Sequence, residues 1–350
     1  MSLLYRLFLL ITIVVGLPGS SRAVVWNVNP QGTGDAPTIQ AAYDAASAGD
    51  LILLAPGTYV DSVVRLMPDY YGFIETVEST AFAKPGVDLK SSGGPAVTTI
   101  DGEGVRHGVV GESLGAVEIS GIRFYRNKSS ATGGGVGKWG GGMVLFRSTP
   151  TIQNCFFVEC VADGDAPGGG GGIFLGGGAN GIVRNNLFLR STATDLGGGL
   201  ELFEHNGATV ENNTFVDNHA DRHGGAVLIN ITTVTLNKNI FALNTASQEG
   251  GAVACLNTHT VTASCNVFWA NDAPIQDNVM ACNVVIGQNN NIVQDPMFCD
   301  PENDVYTIDA FSPASPDHPS GCGLRGAFPV ACGPVSIESR SWGMIKSSYR

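Results

Sequence analysis

The segment VENNTFVDN at 210–218 returns as LNKNIFALN at 236–244 and ASCNVFWAN at 263–271, and more loosely as VRNNLFLRS at 183–191 and IQNCFFVEC at 152–160. A weaker copy ends in FYRN at 124–127. The phenylalanines at 124, 157, 188, 215, 241 and 268 are therefore 33, 31, 27, 26 and 27 residues apart. Nine residues after Phe188, Phe215 and Phe241 come the pairs that begin at Gly197, Gly224 and Gly250, each followed by a short alternating run: GLEL, AVLI and AVAC. A unit of this length, with two or three short strands and no helix, cannot bury its own apolar face. It must stack on its neighbours, as the turns of a solenoid do.

Stacking turns places each strand about 4.8 Å from its counterpart in the next, paired in parallel. The interior then becomes columns of like residues. Phe157, Phe188, Phe215, Phe241 and Phe268 are expected to form one pile, and Leu200, Val227 and Val253 another. Asn186, Asn213, Asn239 and Asn266 make a polar ladder with Cys155 in the earlier slot. A second ladder holds Asn127, Asn218, Asn244 and Asn271, with Cys160 and Ser191 substituting. Both are expected at bends where asparagine adopts the left-handed conformation.

Composition agrees. With 47 Gly and 17 Pro in 350 residues, 43% hydrophobic and 14% charged, the chain is too turn-rich for a helical bundle, and it lacks a collagen triplet. An exposed coil end needs a cap. PTIQAAYDAAS at 37–47 reads as a capping helix and DLILLAPGTYV at 50–60 as the first coil strand and its turn, whereas 61–82 reads as an inserted loop. The fold expected is an all-β right-handed parallel β-helix over 24–333, with a Cys-bearing closing segment at 289–333 and a tail at 334–350.

Residues 1–23 read as an export signal: Arg6, an apolar run from Leu7 to Val15, a Pro/Gly break, then Ser21 and Ala23 at a cleavage-type spacing. Arg6 and Arg22 would leave with it and no acid would, taking the formal charge from −12 to −14. Nucleic acid is then a poor partner. An acidic polymer would need a bridging cation, so Ca²⁺ is the one cofactor that the charge invites. No apolar anchor is visible at 336–350. All eight cysteines follow the signal, and their even number favours disulfides. Cys322–Cys332 and Cys265–Cys282 are the expected local pairs. No Cys-x-x-Cys supports zinc.

PTIQAAYDAASAGDLILLAPGTYVD at 37–61, TTIDGEG at 98–104 and the later turns resemble right-handed parallel β-helix proteins of the pectate-lyase-like superfamily. The Phe-x-x-Asn and Gly-Gly-Ala pairs, Phe215 to Asn218 with Gly224 to Ala226 and Phe241 to Asn244 with Gly250 to Ala252, also resemble the repeats of polymorphic outer-membrane, adhesin-type proteins. The resemblance implies the coil over roughly 25–333. It leaves activity open, because one such fold serves lyases, glycosidases, epimerases and adhesins. The lyases' Arg-x-Pro-x-x-Arg and Trp-Ile-Asp-His are not found in this sequence. Neither are the glycosidases' Asn-Thr-Asp, Asp-Asp, Gly-His-Gly and Arg-Ile-Lys.

One polar patch remains. In the Gly-Gly register Asp195 lies over Arg222 and His223 over Glu249, with Asp221 beside them. A histidine next to a carboxylate can carry a proton or help to hold a cation. These five are the catalytic candidates, against a reading in which solvated charges simply neutralise one another on a turn. His219 and His223 have a zinc-helix spacing, but Gly224 and Gly225 argue against a helix. Val144, Phe174, Leu228 and Ala254 form an outward apolar stripe, joined by Glu201. Phe174, Glu201 and the loop residue Trp139 are the candidate sugar contacts, unless the Gly-rich excursions at 133–142 and 163–172 cover the stripe and Trp139 folds back on it. Binding of an extracellular polysaccharide or cell-surface glycan is the favoured function. A divergent lyase or hydrolase is the second reading and a structural envelope protein the third.

Overall fold

The computed structural model describes residues 22–68, 74–129, 138–164, 168–178, 180–257, 259–284 and 286–333. Most of the expected export signal and the tail at 334–350 lie outside these.

Three nine-stranded sheets run along the coil. Sheet 1 runs from Val25–Val28 to Thr260–Ser264, and sheet 2 from Gly57–Tyr59 to Ile292–Val293. Sheet 3 begins at Val63–Pro68 and ends at Val279–Met280. Pairing between successive turns is parallel and in register, for example Phe188↔Phe215↔Phe241 and Leu200↔Val227↔Val253.

The aromatic column is present. From Phe124 to Phe268, six rings stack with centroids 4.5–5.1 Å apart, and each is at most 1% exposed. Burying each ring contributes about 1.5–3 kcal/mol relative to exposure. The asparagine ladders satisfy themselves from Asn186 to Asn291 and from Asn218 to Asn271, whereas the buried side chain of Asn127, beside Cys160, has no partner among the described residues. Asn213 Nδ2 donates to Asn239 Oδ1 at 3.1 Å and to Val183 O at 2.8 Å, and its backbone N–H donates to the same Oδ1 at 3.0 Å. Both amide protons are thereby used inside the core. The left-handed residues, however, precede the ladder positions. Asn185, Asn212, Lys238 and Cys265 have φ of 51–58°, as do Asp217 and, a few degrees either side, Leu243 and Ala270 at 60° and 48°. The bend must turn one residue earlier so that each ladder amide can point inward.

Thr38 caps the helix Ile39–Ala45 through its Oγ1, which accepts from Ala41 N, and Ile39, Ala42 and Tyr43 close the end of the core. The coil starts one strand before the expected place, because Val25–Val28 pairs with Leu51–Leu54. The expected loop at 61–82 is instead an antiparallel hairpin, Val63–Pro68 with Ile74–Phe82, whose second strand joins sheet 3.

The disulfides correct both expected pairs. They are Cys255–Cys282, Cys265–Cys322 and Cys299–Cys332, with Cys155 and Cys160 unpaired and buried. Cys255 and Cys282 are 27 residues apart, one turn of the coil, so stacking rather than nearness along the chain brings them together. The other two fasten the closing segment, whose strands Phe298–Asp300, Val305–Asp309 and Val330–Cys332 form a small separate sheet. This segment packs Phe298, Tyr306, Ile308 and Ala314 on Leu187, Val216, Ile240 and Val267, the outer face of sheet 2. Arg190 reinforces the contact with two bonds to Asp304, at 2.7 and 2.9 Å.

Candidate functional site

The residue that precedes each glycine turn forms a column of its own: Gly169, Leu196, His223, Glu249 and Ile275 are bridged in register. Gly197, Gly224 and Gly250 follow at φ of 61–69°, the left-handed turn that favours glycine. The chain then doubles back, and side chains of the column fold over the outer face of sheet 3. Leu196 thus packs with Leu228, Ala254 and Met280. Trp139, which precedes the corresponding Gly140, stacks on Phe174 with centroids 4.7 Å apart and an interplanar angle of 11°. Trp139 is 6% and Phe174 1% exposed, so neither offers a face to a sugar. The outward stripe exists, but it is covered.

Glu201 stands in that stripe between Phe174 and Leu228. It is 3% exposed, and its Oε2 has no hydrogen-bond partner. The space it fills is the one left by a missing side chain, because a Cβ on Gly169 would lie 2.0 Å from Glu201 Oε2. Burial, and secondarily the charge of Asp195, push its pKa up to about 8. Glu201 is therefore a neutral carboxylic acid at pH 7, as desolvation dictates.

Asp195, fully buried, accepts from Arg222 NH1 at 2.9 Å through Oδ1, while its Oδ2 lacks a partner. His223 and Glu249 are adjacent as expected. Their Nδ1–Oε2 separation of 3.6 Å is too long for a hydrogen bond, and burial followed by the Arg222 cation holds His223 below the usual histidine range. Asp221 instead meets His219 Nε2 at 3.1 Å, at the exposed rim. His219 lies on the short strand His219–Ala220, not on a helix. Among the described residues no group of three or more metal-ligating side chains converges. Of the five catalytic candidates, Asp195 meets Arg222 and His223 neighbours Glu249 on adjacent turns, whereas Asp221 turns to His219 at the rim; the unpartnered oxygens of Asp195 and of Glu201 are sealed beneath the bend.

The sequence model of the family described as right handed beta helix region matches residues 69–215. The chain is a parallel β-helix protein. Its fold fits the pectate-lyase-like superfamily, and the coil extends past the matched residues to the closing segment. No curated protein matches the chain. Three disulfides indicate an oxidising environment, and no helix among the described residues is long and apolar enough to cross a membrane.

The β-helix has a second polar surface, which sequence reasoning passed over: the outer face of sheet 1. Thr151, Ile182, Thr209, Thr235 and Thr262 form one column in register, and Gln153, Arg184, Glu211, Asn237 and Ser264 the next. Side-chain bonds link the turns. Lys90 Nζ donates to Glu118 at 2.6 Å, Gln153 Nε2 to Glu118 at 2.8 Å, Arg184 Nε to Gln153 at 2.8 Å, and Ser264 Oγ to Asn237 at 3.0 Å. Burial raises the pKa of Glu118, but the bonds from Lys90 and Gln153 outweigh it and hold the carboxyl below its usual range. The signal for this surface was the alternation of TVTLN at 233–237 and TVTAS at 260–264.

Proposed function

We propose that this β-helix is an exported protein that binds an extracellular polysaccharide or cell-surface glycan along the outer face of sheet 1. The observation that carries the reading is the contrast in cover. The closing segment lies over sheet 2 and the folded bends over sheet 3, whereas Thr233, Thr235, Thr260 and Thr262 are exposed. Nine strands at the usual spacing make a strip about 38 Å long, on which side-chain hydroxyl, amide and charged groups recur from Asp88 and Lys90 onward. An extended polymer presents donors and acceptors along its length in the same manner, and the fixed register limits the entropy lost on binding. No membrane anchor or nucleic acid is required by this reading.

The adjacency of Asp195 with Arg222 and of His223 with Glu249 favours a second reading, a divergent lyase or hydrolase of the same superfamily. Purified protein on immobilised plant, algal and animal polysaccharides, with and without Ca²⁺, separates the two. Retention without new reducing ends or unsaturated product supports binding; turnover that is lost in Arg222→Ala and His223→Ala supports the enzyme. The double variant Thr235→Arg/Thr262→Arg obstructs the strip at exposed positions and is expected to lower retention at least tenfold. Undiminished retention by a folded double variant would overturn the strip as the binding face.

A further inference from the structure

At the C-terminal end of the coil a shallow cleft of about 230 Å³, widely open to solvent, is lined by Gln294, Asp295, Met297, Phe311, Pro313 and His318. Phe311 is 71% exposed, in a chain whose six stacked phenylalanines are at most 1% exposed. Its backbone is nevertheless firmly held. Asp309, itself fully buried, accepts from Phe311 N at 2.8 Å through Oδ1 and from Ser312 N at 3.0 Å through its carbonyl. Ser312 Oγ donates to Pro296 O at 2.6 Å, and Asp309 N donates to Met297 O at 2.9 Å, tying the two walls together. The disulfides Cys265–Cys322 and Cys299–Cys332 anchor the surrounding segment to the coil and to itself.

An aromatic ring presented on a braced turn, beside a thioether and a proline, is a stacking platform. The remaining lining groups are polar and have capacity to spare. Gln294 is exposed; its backbone N–H donates to Phe268 O at 3.1 Å, and its side-chain amide has no partner among the described residues. Asp295 uses Oδ1 to accept from Met297 N at 2.7 Å, which leaves Oδ2 open. His318 Nδ1 accepts from Ser320 N at 3.4 Å and lies 3.1 Å from Ser320 Oγ; this assigns the ring proton to Nε2 and makes that atom a donor. An apolar face with an amide, a carboxylate and an imidazole at its edge matches one pyranose ring, which has a C–H face and a rim of hydroxyl groups. The volume lies below the range of sites for drug-sized ligands, in keeping with a single sugar unit and not a folded oligosaccharide.

We infer that this cleft is a sugar subsite for a neutral or amino-substituted pyranose, with Phe311 as the stacking ring and Asp295 and His318 as the hydroxyl contacts. The inference rests on the glycan-binding reading and deepens it by naming a sugar class. Uronates are disfavoured, since Asp295 is the acid facing the ligand and the chain carries a formal charge of −12. A carboxylate ligand here would meet repulsion with no cation among the lining residues to offset it.

The test is saturation-transfer NMR and titration calorimetry on the full chain with methyl glucoside, methyl galactoside, glucosamine and methyl galacturonate. Binding of at least one neutral or amino sugar, with no response to the uronate, is expected. Phe311→Ala should weaken it at least tenfold, Phe311→Trp should preserve it, and Asp295→Asn should narrow the gap between neutral and uronate ligands. All of these positions are at the surface, so a thermal melt confirms that each variant is folded. Preference for the uronate, an unchanged response in Phe311→Ala, or no response to any of the four overturns the subsite. Thr235→Arg/Thr262→Arg keeps the two readings apart: it should abolish polymer retention and leave the small-sugar response intact. If it spares retention while Phe311→Ala abolishes it, the strip fails and the cleft stands.

Discussion

The outer faces of sheets 1 and 3 are built from the same coil and the same period, yet one displays its polar groups and the other hides them. On sheet 1 the outward positions are Thr, Gln, Asn and Ser, and charges such as Lys90 and Glu118 are paired near the solvent. On sheet 3 one outward column runs through Val144, Phe174, Leu228 and Ala254, and the acid within that column, Glu201, is sealed in a glycine notch and kept neutral. What separates them is the bend. Left-handed glycine turns before the middle strands of sheet 3 fold preceding side chains such as Trp139 and Leu196 back over the face, and no equivalent turn covers sheet 1. A solenoid can thus specify a covered and an open flank with a few residues per turn.

The largest expected effect on this contrast comes from releasing a cover. Cys265→Ser/Cys322→Ser opens a loop of 57 residues and should cost about 4 kcal/mol on the chain-entropy account, read as a shift in urea midpoint. Next, Gly169→Ala drives a Cβ to within 2.0 Å of Glu201 Oε2 and 2.4 Å of Leu196 O, so a loss of roughly 3 kcal/mol is expected. Tolerance of alanine there would show that the notch is not filled as described.

A pH effect of intermediate size follows from Glu201. Its pKa is raised from 4.5 in the unfolded reference to about 8 when folded. Between those values the folded state binds more protons than the unfolded, so this group's contribution to stability falls as pH rises through the window, by a few kcal/mol at most. Urea melts at pH 5 and pH 8.5 should show Glu201→Gln losing less stability than the parent; equal losses would contradict the buried neutral acid. The smallest effect belongs to the open flank, where Thr235→Ala should change stability by less than about 0.5 kcal/mol.

Much of this was legible in the sequence because position repeats with the turn. The phenylalanine column, the two asparagine ladders and the neighbours Asp195–Arg222 and His223–Glu249 all follow from aligning one period on the next, and the capping helix from its own helical spacing of apolar residues. Burial was not legible in the same way. Alternation places Glu201 and Phe174 outward, and only the direction of the bend column reveals that outward is not exposed. The hairpin at 63–82 did leave a signal, two alternating runs divided by a turn-rich DYYG, but it lies off the coil period. The left-handed positions were only partly marked: Asn185, Asn212 and Asp217 are turn-forming residues, but Lys238, Leu243 and Ala270 in the equivalent slots of later turns are not. The cysteine pairs were hidden because contact in a coil follows whole laps, not short separations.

Cys155 and Cys160 take slots that asparagine fills elsewhere, and burial pushes both thiols up to about 12. In the wound coil both sulfurs are buried and strongly disfavoured as thiolates, which slows their reaction with an oxidant. The oxidative folding problem then shrinks from eight reactive groups to six, all within the last hundred or so residues. The possible mispairings fall several-fold, because the early rungs withdraw their own sulfurs from the exchange.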